Sequence, residues 1–306
     1  MRNRPETVPS QEGIVSFDIR AFPTMGDDGL RSDFMNRLAP LGLVAWLLLL
    51  AGPALAGPFP DRNLEAAVRS ALHVDDKTEL TDDKLKDLYI LEAVGKEIAD
   101  LSGLEKCPNL ALIRLSRNKI TRIDALKNLK NLQSLDLAAN QISDLDPVRG
   151  LVKLQYLHVA DNQIKSLDPV AGLSALATID ASGNQIADLG PVSGLKRLVS
   201  LCLARNQVRD LATLSEVPRL ATLDLNDNQV ESLDPLSKCG DLNLVVLERN
   251  QIVDLGSFVE AARSDAEGPK RFAPFLRLYL KGNPLSDAAR NEQLAALKSA
   301  GIRVDF

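Results

Sequence analysis

Asparagine recurs at Asn118, Asn140, Asn162, Asn184, Asn206, Asn228 and Asn250, every interval being 22 residues. The same apolar frame surrounds each one: for Asn140 it is Leu129, Leu132, Leu135 and Leu137 before, then Ile142, Leu145 and Val148 after. A fixed period of this length means a stack of equivalent coils, because no single 22-residue unit can bury its own leucines. Leu135-Asp136-Leu137 alternates with period two, which predicts a short strand with its leucines inward. The remaining apolar positions suit a tight, loosely helical return path. Successive strands then lie parallel in one continuous sheet. The asparagine stands where the chain leaves that sheet, where buried backbone groups would otherwise go unpaired. Its amide supplies one acceptor and two donors, so a ladder of such residues satisfies those groups coil after coil. Lys96 holds the ladder position in the first coil, and Gln follows the ladder residue six times, from Gln141 to Gln251.

The unit Leu-Gln-Ser-Leu-Asp-Leu-Ala-Ala-Asn-Gln-Ile-Ser-Asp-Leu-Asp-Pro-Val from 132 to 148 resembles the leucine-rich-repeat family, in particular its 22-residue bacterial class typified by the internalins. The likeness runs over about residues 58–306. It implies an α/β solenoid, a leucine-rich-repeat horseshoe with parallel strands on the concave face and helical caps at both ends. It also implies a protein-binding module without catalytic activity or cofactor. Departures from the pattern are local: Ala125 and Thr213 replace the proline seen at 147, 169, 191 and 235, and Ala181 replaces a strand leucine.

The chain divides at its compositional breaks. Residues 35–56 read as a signal peptide, with Arg37 before the apolar run Leu38 to Leu50 and an Ala-x-Ala cleavage site ending at Ala56. The run is too short for a transmembrane helix, which needs about 20 residues. Residues 1–34 are polar and unpatterned and read as a misassigned extension upstream of a start at Met35. N-terminal sequencing of the mature protein is therefore expected to begin at Gly57; an earlier start refutes the cleavage. Residues 57–87 form an N-terminal helical cap in which Asp61 caps a helix burying Leu64, Ala67, Val68 and Leu72, with a second short helix near 82–87. Repeats fill 88–285. The interval from Asn250 to Asn283 is 33, one unit plus 11, and places an insertion at 259–271 read as a lengthened helix and turn. Residues 286–306 form a C-terminal cap, with Ser286 at the start of its helix and Gly301 at its stop. The aromatics near the insertion, Phe258, Phe272, Phe275 and Tyr279, suit either packing of that cap or a lateral contact site.

Exported placement, periplasmic or extracellular, follows from the signal peptide, with no membrane attachment after cleavage. A net charge of −5 with interspersed acids and bases disfavours nucleic acid, which demands a basic face. An unknown protein ligand and a monomeric chain are the expected state. Cys107 and Cys239 share one repeat column six coils apart; at about 4.8 Å per coil the gap is roughly 29 Å, beyond any disulfide. Cys202 lies on the strand face, so three free thiols are expected.

Outward strand positions define the expected ligand surface: Arg114, Asp136, Tyr156, His158, Asp161, Asp180, Arg205, Asp224 and Asp227. Asp136, His158 and Asp180, on adjacent strands and near Cys202, are of the residue types that bind zinc. Charge complementarity across the sheet explains the same trio without a metal, and no metal is assigned. A flat strand face lacks an oxyanion hole, which argues against an enzyme. The alternative function is a cell-envelope structural or glycan-binding protein. Scarce aromatics on the strand face weigh against glycan.

Overall fold

The structure, a computed structural model, describes residues 57–306. The expected signal peptide and the upstream extension lie outside them. Ten short strands form one parallel sheet in chain order: β1 (Ile90–Glu92), β2 (Leu112–Arg114), β3 (Ser134–Asp136), β4 (Tyr156–His158), β5 (Thr178–Asp180), β6 (Ser200–Cys202), β7 (Thr222–Asp224), β8 (Leu244–Val246), β9 (Arg277–Tyr279) and β10 (Arg303–Asp305). Register follows the repeat: Leu135 pairs with Leu157 and Asp136 with His158. The central residue of β2 to β9 is buried and its neighbours face outward, so the two-residue alternation decides which side chains meet solvent.

From β1 to β8 each coil returns through a 3-10 turn such as Asp146–Val148 or Asp168–Val170, where proline fixes φ at its start. The turn persists at Asp124–Leu126 and Ala212–Glu216, where proline is absent. Aspartate or serine two residues ahead closes the entry: Asp144 Oδ1 accepts from the Asp146 N–H at 2.8 Å and Ser166 Oγ from that of Asp168 at 2.9 Å. These groups are turn formers. Between sheet and turns runs a continuous aliphatic core that includes Leu129, Leu135, Leu157, Leu176, Leu201 and Ala181. Burying one such leucine is worth roughly 1.5–3 kcal/mol.

The asparagine ladder acts between coils. Asn206 Nδ2 donates to its own coil at Leu203 O (3.1 Å) and to the preceding coil at Ala181 O (2.9 Å), while its Oδ1 accepts from the Ile186 N–H at 2.9 Å. Asn118, Asn140, Asn162, Asn184, Asn228, Asn250 and Asn283 bind in the same way. Lys96 is exposed, so the ladder begins with Asn118, which accepts from the Lys96 N–H. The residue before each ladder asparagine is left-handed, with φ from 53° at Ala139 and Arg249 to 79° at Gly282. One such residue swings the next side chain out of the sheet and into the interior. Where it is not glycine it costs roughly 1–2 kcal/mol, which the ladder's hydrogen bonds offset.

Helices stand at both ends. α1 (Arg62–Ala71) buries Leu64 and Val68 against β1, and α2 (Asp82–Leu85) buries Leu85. Asp61 caps α1 through Oδ1 and also accepts from the Ala99 and Asp100 N–H groups through Oδ2, tying the helix to the first coil. In the insertion, α3 (Gly256–Glu267) leads into a turn organised by buried Asp265. Ser286 Oγ accepts from the Ala289 N–H, and the chain continues through a π-helical turn, Ala289–Gln293, into α4 (Leu294–Ser299). The sheet then resumes beyond the boundary expected at residue 285, since β10 lies within the segment read as cap. Phe258 of α3 packs against Phe272 beyond the turn, ring centroids 5.9 Å apart and both buried, whereas Phe275 is exposed.

Candidate functional site

The outward positions of the sheet form rows that cross the strands. One row, set by register, is Arg114, Asp136, His158, Asp180, Cys202, Asp224, Val246 and Tyr279. The row beside it runs Leu112, Ser134, Tyr156, Thr178, Ser200, Thr222 and Leu244. Tyr156 is the exposed aromatic of that row, at 44%, between the small side chains of Ser134 and Thr178.

Most of the charged residues expected to bind a ligand are paired with one another. Arg114 meets Glu92 at 2.9 Å on the neighbouring strand, and Arg249 grips Asp227 one coil away through two nitrogens. Arg205 reaches back two coils to Asp161 at 2.6 Å, passing directly over Gly183. A Cβ on Gly183 would stand 2.2 Å from Asp161 Oδ1, so glycine there is what lets the pair close. Such exposed pairs contribute little to stability, yet they fix the pattern of charge along the margin of the face.

Asp136, His158 and Asp180 form a row rather than a converging set. His158 Nδ1 lies 3.2 Å from Asp136 Oδ1 and Nε2 lies 3.3 Å from Asp180 Oδ2, so each ring nitrogen faces a different carboxylate. Asp136, Asp180 and Asp224 also serve the backbone, each accepting from the N–H two residues on, at Ala138, Ser182 and Asn226. Among the described residues no cluster of three or more histidine, cysteine, aspartate or glutamate side chains is arranged to hold a metal ion. The trio does not fit a cation. Its geometry is that of an imidazole ring held between two carboxylates.

Burial works against the charge on His158, but the hydrogen bond to Asp136 and the fields of Asp180, Asp136 and Asp161 outweigh it and raise its pKa above the ordinary 6.5. Asp136 responds oppositely: burial pushes its pKa up, and His158 with the Ala138 N–H bring it below the usual value. Asp224 has no such cation. Burial and the charges of Asp180, Asp227 and Glu248 raise it despite the Asn226 N–H. Burial pushes the Cys202 thiol up to about 12, aided by Asp180 and Asp224. Cys202 is therefore neutral near pH 7 and a weak nucleophile. Cys107 and Cys239 are buried, and all three cysteines are free.

A raised histidine pKa stabilises the fold fully below about pH 6.5, and that contribution fades as pH rises through the folded-state value. Replacing His158 by Gln is expected to remove this dependence. Melting temperatures of wild type and His158→Gln, measured from pH 5 to pH 9, should diverge at the acid end and converge at the alkaline end. Parallel curves would mean that the ring carries no extra proton in the folded state.

A comparison with curated protein sequences yields no match. The family model for Leucine Rich repeats (2 copies) matches residues 108–150 and 130–172. The crystal structure of internalin C2 from Listeria monocytogenes is 30% identical with a TM-score of 0.53, over 62% of this chain and 94% of that one. The chain belongs to the internalin-like leucine-rich-repeat family. A leucine-rich-repeat protein of Leptospira interrogans shares the fold, with a TM-score of 0.57 at 22% identity over 74% of this chain and 62% of that one. Internalin-like repeats are, in general, protein-interaction scaffolds rather than enzymes. Among the described residues no helix is long and apolar enough to cross a membrane.

Proposed function

We propose that this internalin-like chain is an exported module that holds a protein ligand on the concave, strand-bearing face of its solenoid. The observation that carries this reading is the composition of the open face: a repeated backbone frame presents outward side chains that vary along the sheet, with Tyr156 half exposed at its middle. Rigid elements hold contact residues in place more exactly than loops do. Tyrosine is a frequent anchor in protein interfaces because it offers a large contact area at small entropic cost. Asp161 with Arg205 and Asp227 with Arg249 would form a polar margin around that anchor, and Asp224, which lacks a cation beside it, a further point of contact. Export is supported by the Met35–Ala56 sequence pattern.

Affinity capture with immobilised protein tests the reading. Tyr156→Ala is expected to weaken capture of the ligand about tenfold or more, and a variant with Asp136, Tyr156, His158, Asp180 and Asp224 all changed to Ala to abolish it. Lys165→Ala, an exposed change on the return path, should leave capture intact. Equal recovery by wild type and all three variants would place binding elsewhere.

A further inference from the structure

Each internal strand is paired on both sides, but the sheet ends at β10. Arg303 N–H donates to Leu276 O, and Asp305 O accepts from the Leu280 N–H, so both residues bond toward β9. In a parallel ladder alternate residues serve opposite sides. Val304 therefore turns its N–H and C=O outward from the sheet, with no strand beyond it among the described residues. Exposed edges of this kind are templates for pairing with another chain.

We propose that two copies of this chain associate edge to edge through β10, by antiparallel pairing about a two-fold axis at Val304. A residue with both backbone groups facing outward can exchange two N–H···O bonds with its own symmetry mate. That register sets Arg303 opposite Asp305 of the partner subunit, and the reverse pair follows by symmetry. Both side chains are exposed and leave the same face of the strand. Charges that would deter a foreign strand are thus matched to a second copy.

Two aromatics bracket this edge. Phe275, just before β9, is 60% exposed, and Phe306, just after β10, is 53% exposed. Lys298 Nζ lies 4.9 Å from the centre of the Phe306 ring. Exposed phenylalanines beside an open edge are the apolar component that interface cores are enriched in.

The other end of the sheet is not equivalent. An antiparallel pair about Leu91 of β1 would set Ile90 against Glu92, with no complementarity. Head-to-tail stacking of β10 on β1 of another copy would put Asp305 beside that copy's Glu92, like against like. The two-fold arrangement is the one the charges favour.

Sedimentation velocity of the purified protein over a dilution series provides the test. The expected result is a monomer–dimer equilibrium. Val304→Pro removes the outward N–H, which no described group of this chain uses, and alters a side chain packed against the core; proline is tolerated on an edge strand in that orientation. It is expected to lower the melting temperature slightly and to weaken association about tenfold or more. Arg303→Asp and Asp305→Arg should each be monomeric alone and should dimerise when mixed in equal amounts, because only the mixed pair restores opposite charges at both contacts. A wild-type protein that stays monomeric throughout overturns the proposal. So does a dimer indifferent to these substitutions, or an open-ended series of oligomers, which would indicate head-to-tail stacking. If Val304→Pro fails to fold, the mixing experiment still decides.

Discussion

Changing Asn206 to Ala is expected to destabilise the protein by about 1–3 kcal/mol, the rough cost of one buried group left unpaired. The substitution removes no apolar surface of consequence. What it removes is the amide that satisfies Ala181 O, Leu203 O and the Ile186 N–H, in a site only 8% exposed. Ala181 O keeps Asn184 Nδ2 and Leu203 O keeps Asn228 Nδ2, so the group stranded outright is the Ile186 N–H, in a gap too enclosed for solvent to reach freely. Urea unfolding should shift to lower midpoint, and hydrogen exchange at Ile186 should accelerate while amides several coils away hold their protection. A loss under about 1 kcal/mol would show that water substitutes freely for the ladder. Asn206→Asp isolates the donor side, because it keeps an acceptor for Ile186 and loses both N–H groups.

The second large effect is expected at Asp265. Its carboxylate accepts from the N–H groups of Arg271 (3.1 Å), Phe272 (3.1 Å) and Ala273 (2.9 Å) while only 4% exposed. Asp265→Ala strands all three donors and releases the turn that seats Phe272 against Phe258. A loss of about 3 kcal/mol or more is expected. In a solenoid each unit leans only on its neighbours, so the damage should stay within the insertion, β9, β10 and α4. Hydrogen exchange read by mass spectrometry should therefore show fast amides from residue 256 onward and an unchanged pattern over the central coils. Uniform acceleration along the chain would mean that the solenoid unfolds as one unit. Such a result would also contradict the locality expected for Asn206.

Much of this architecture is legible in the spacing of a few residue types. The strands, their register and the ladder follow from a 22-residue period, because stacking turns sequence distance into position. The caps at Asp61 and Ser286 are legible because capping is local chemistry. β10 is not: Arg303-Val304-Asp305 is a three-residue alternation without a ladder asparagine, and only its neighbour β9 makes it a strand. Asp265 is equally silent, since nothing in Ser-Asp-Ala distinguishes a buried carboxylate from an exposed one. On the strand face the repeat places the rows, whereas the pairing of their charges is hidden from it. The one signal is the interval of 44 residues from Asp161 to Arg205, with Gly183 midway. It is two coils with a gap between, and it becomes meaningful only when side-chain reach is measured against the 4.8 Å or so between strands. Those pairs make Asp161, Arg205, Asp227 and Arg249 poorer sites for a ligand than their charges suggest, and give Tyr156 and Asp224 more weight.

The ladder also has a direction. Beyond its own coil, every ladder asparagine reaches only toward the coil before it, taking up groups that lie 20 to 25 residues earlier in the chain, or 31 and 36 for Asn283 across the insertion. During synthesis, which runs from the amino terminus, a coil therefore stays incomplete until the following one has emerged. Its strand end remains open for the time needed to add one more repeat, and then closes behind the advancing chain like a zip drawn from one end.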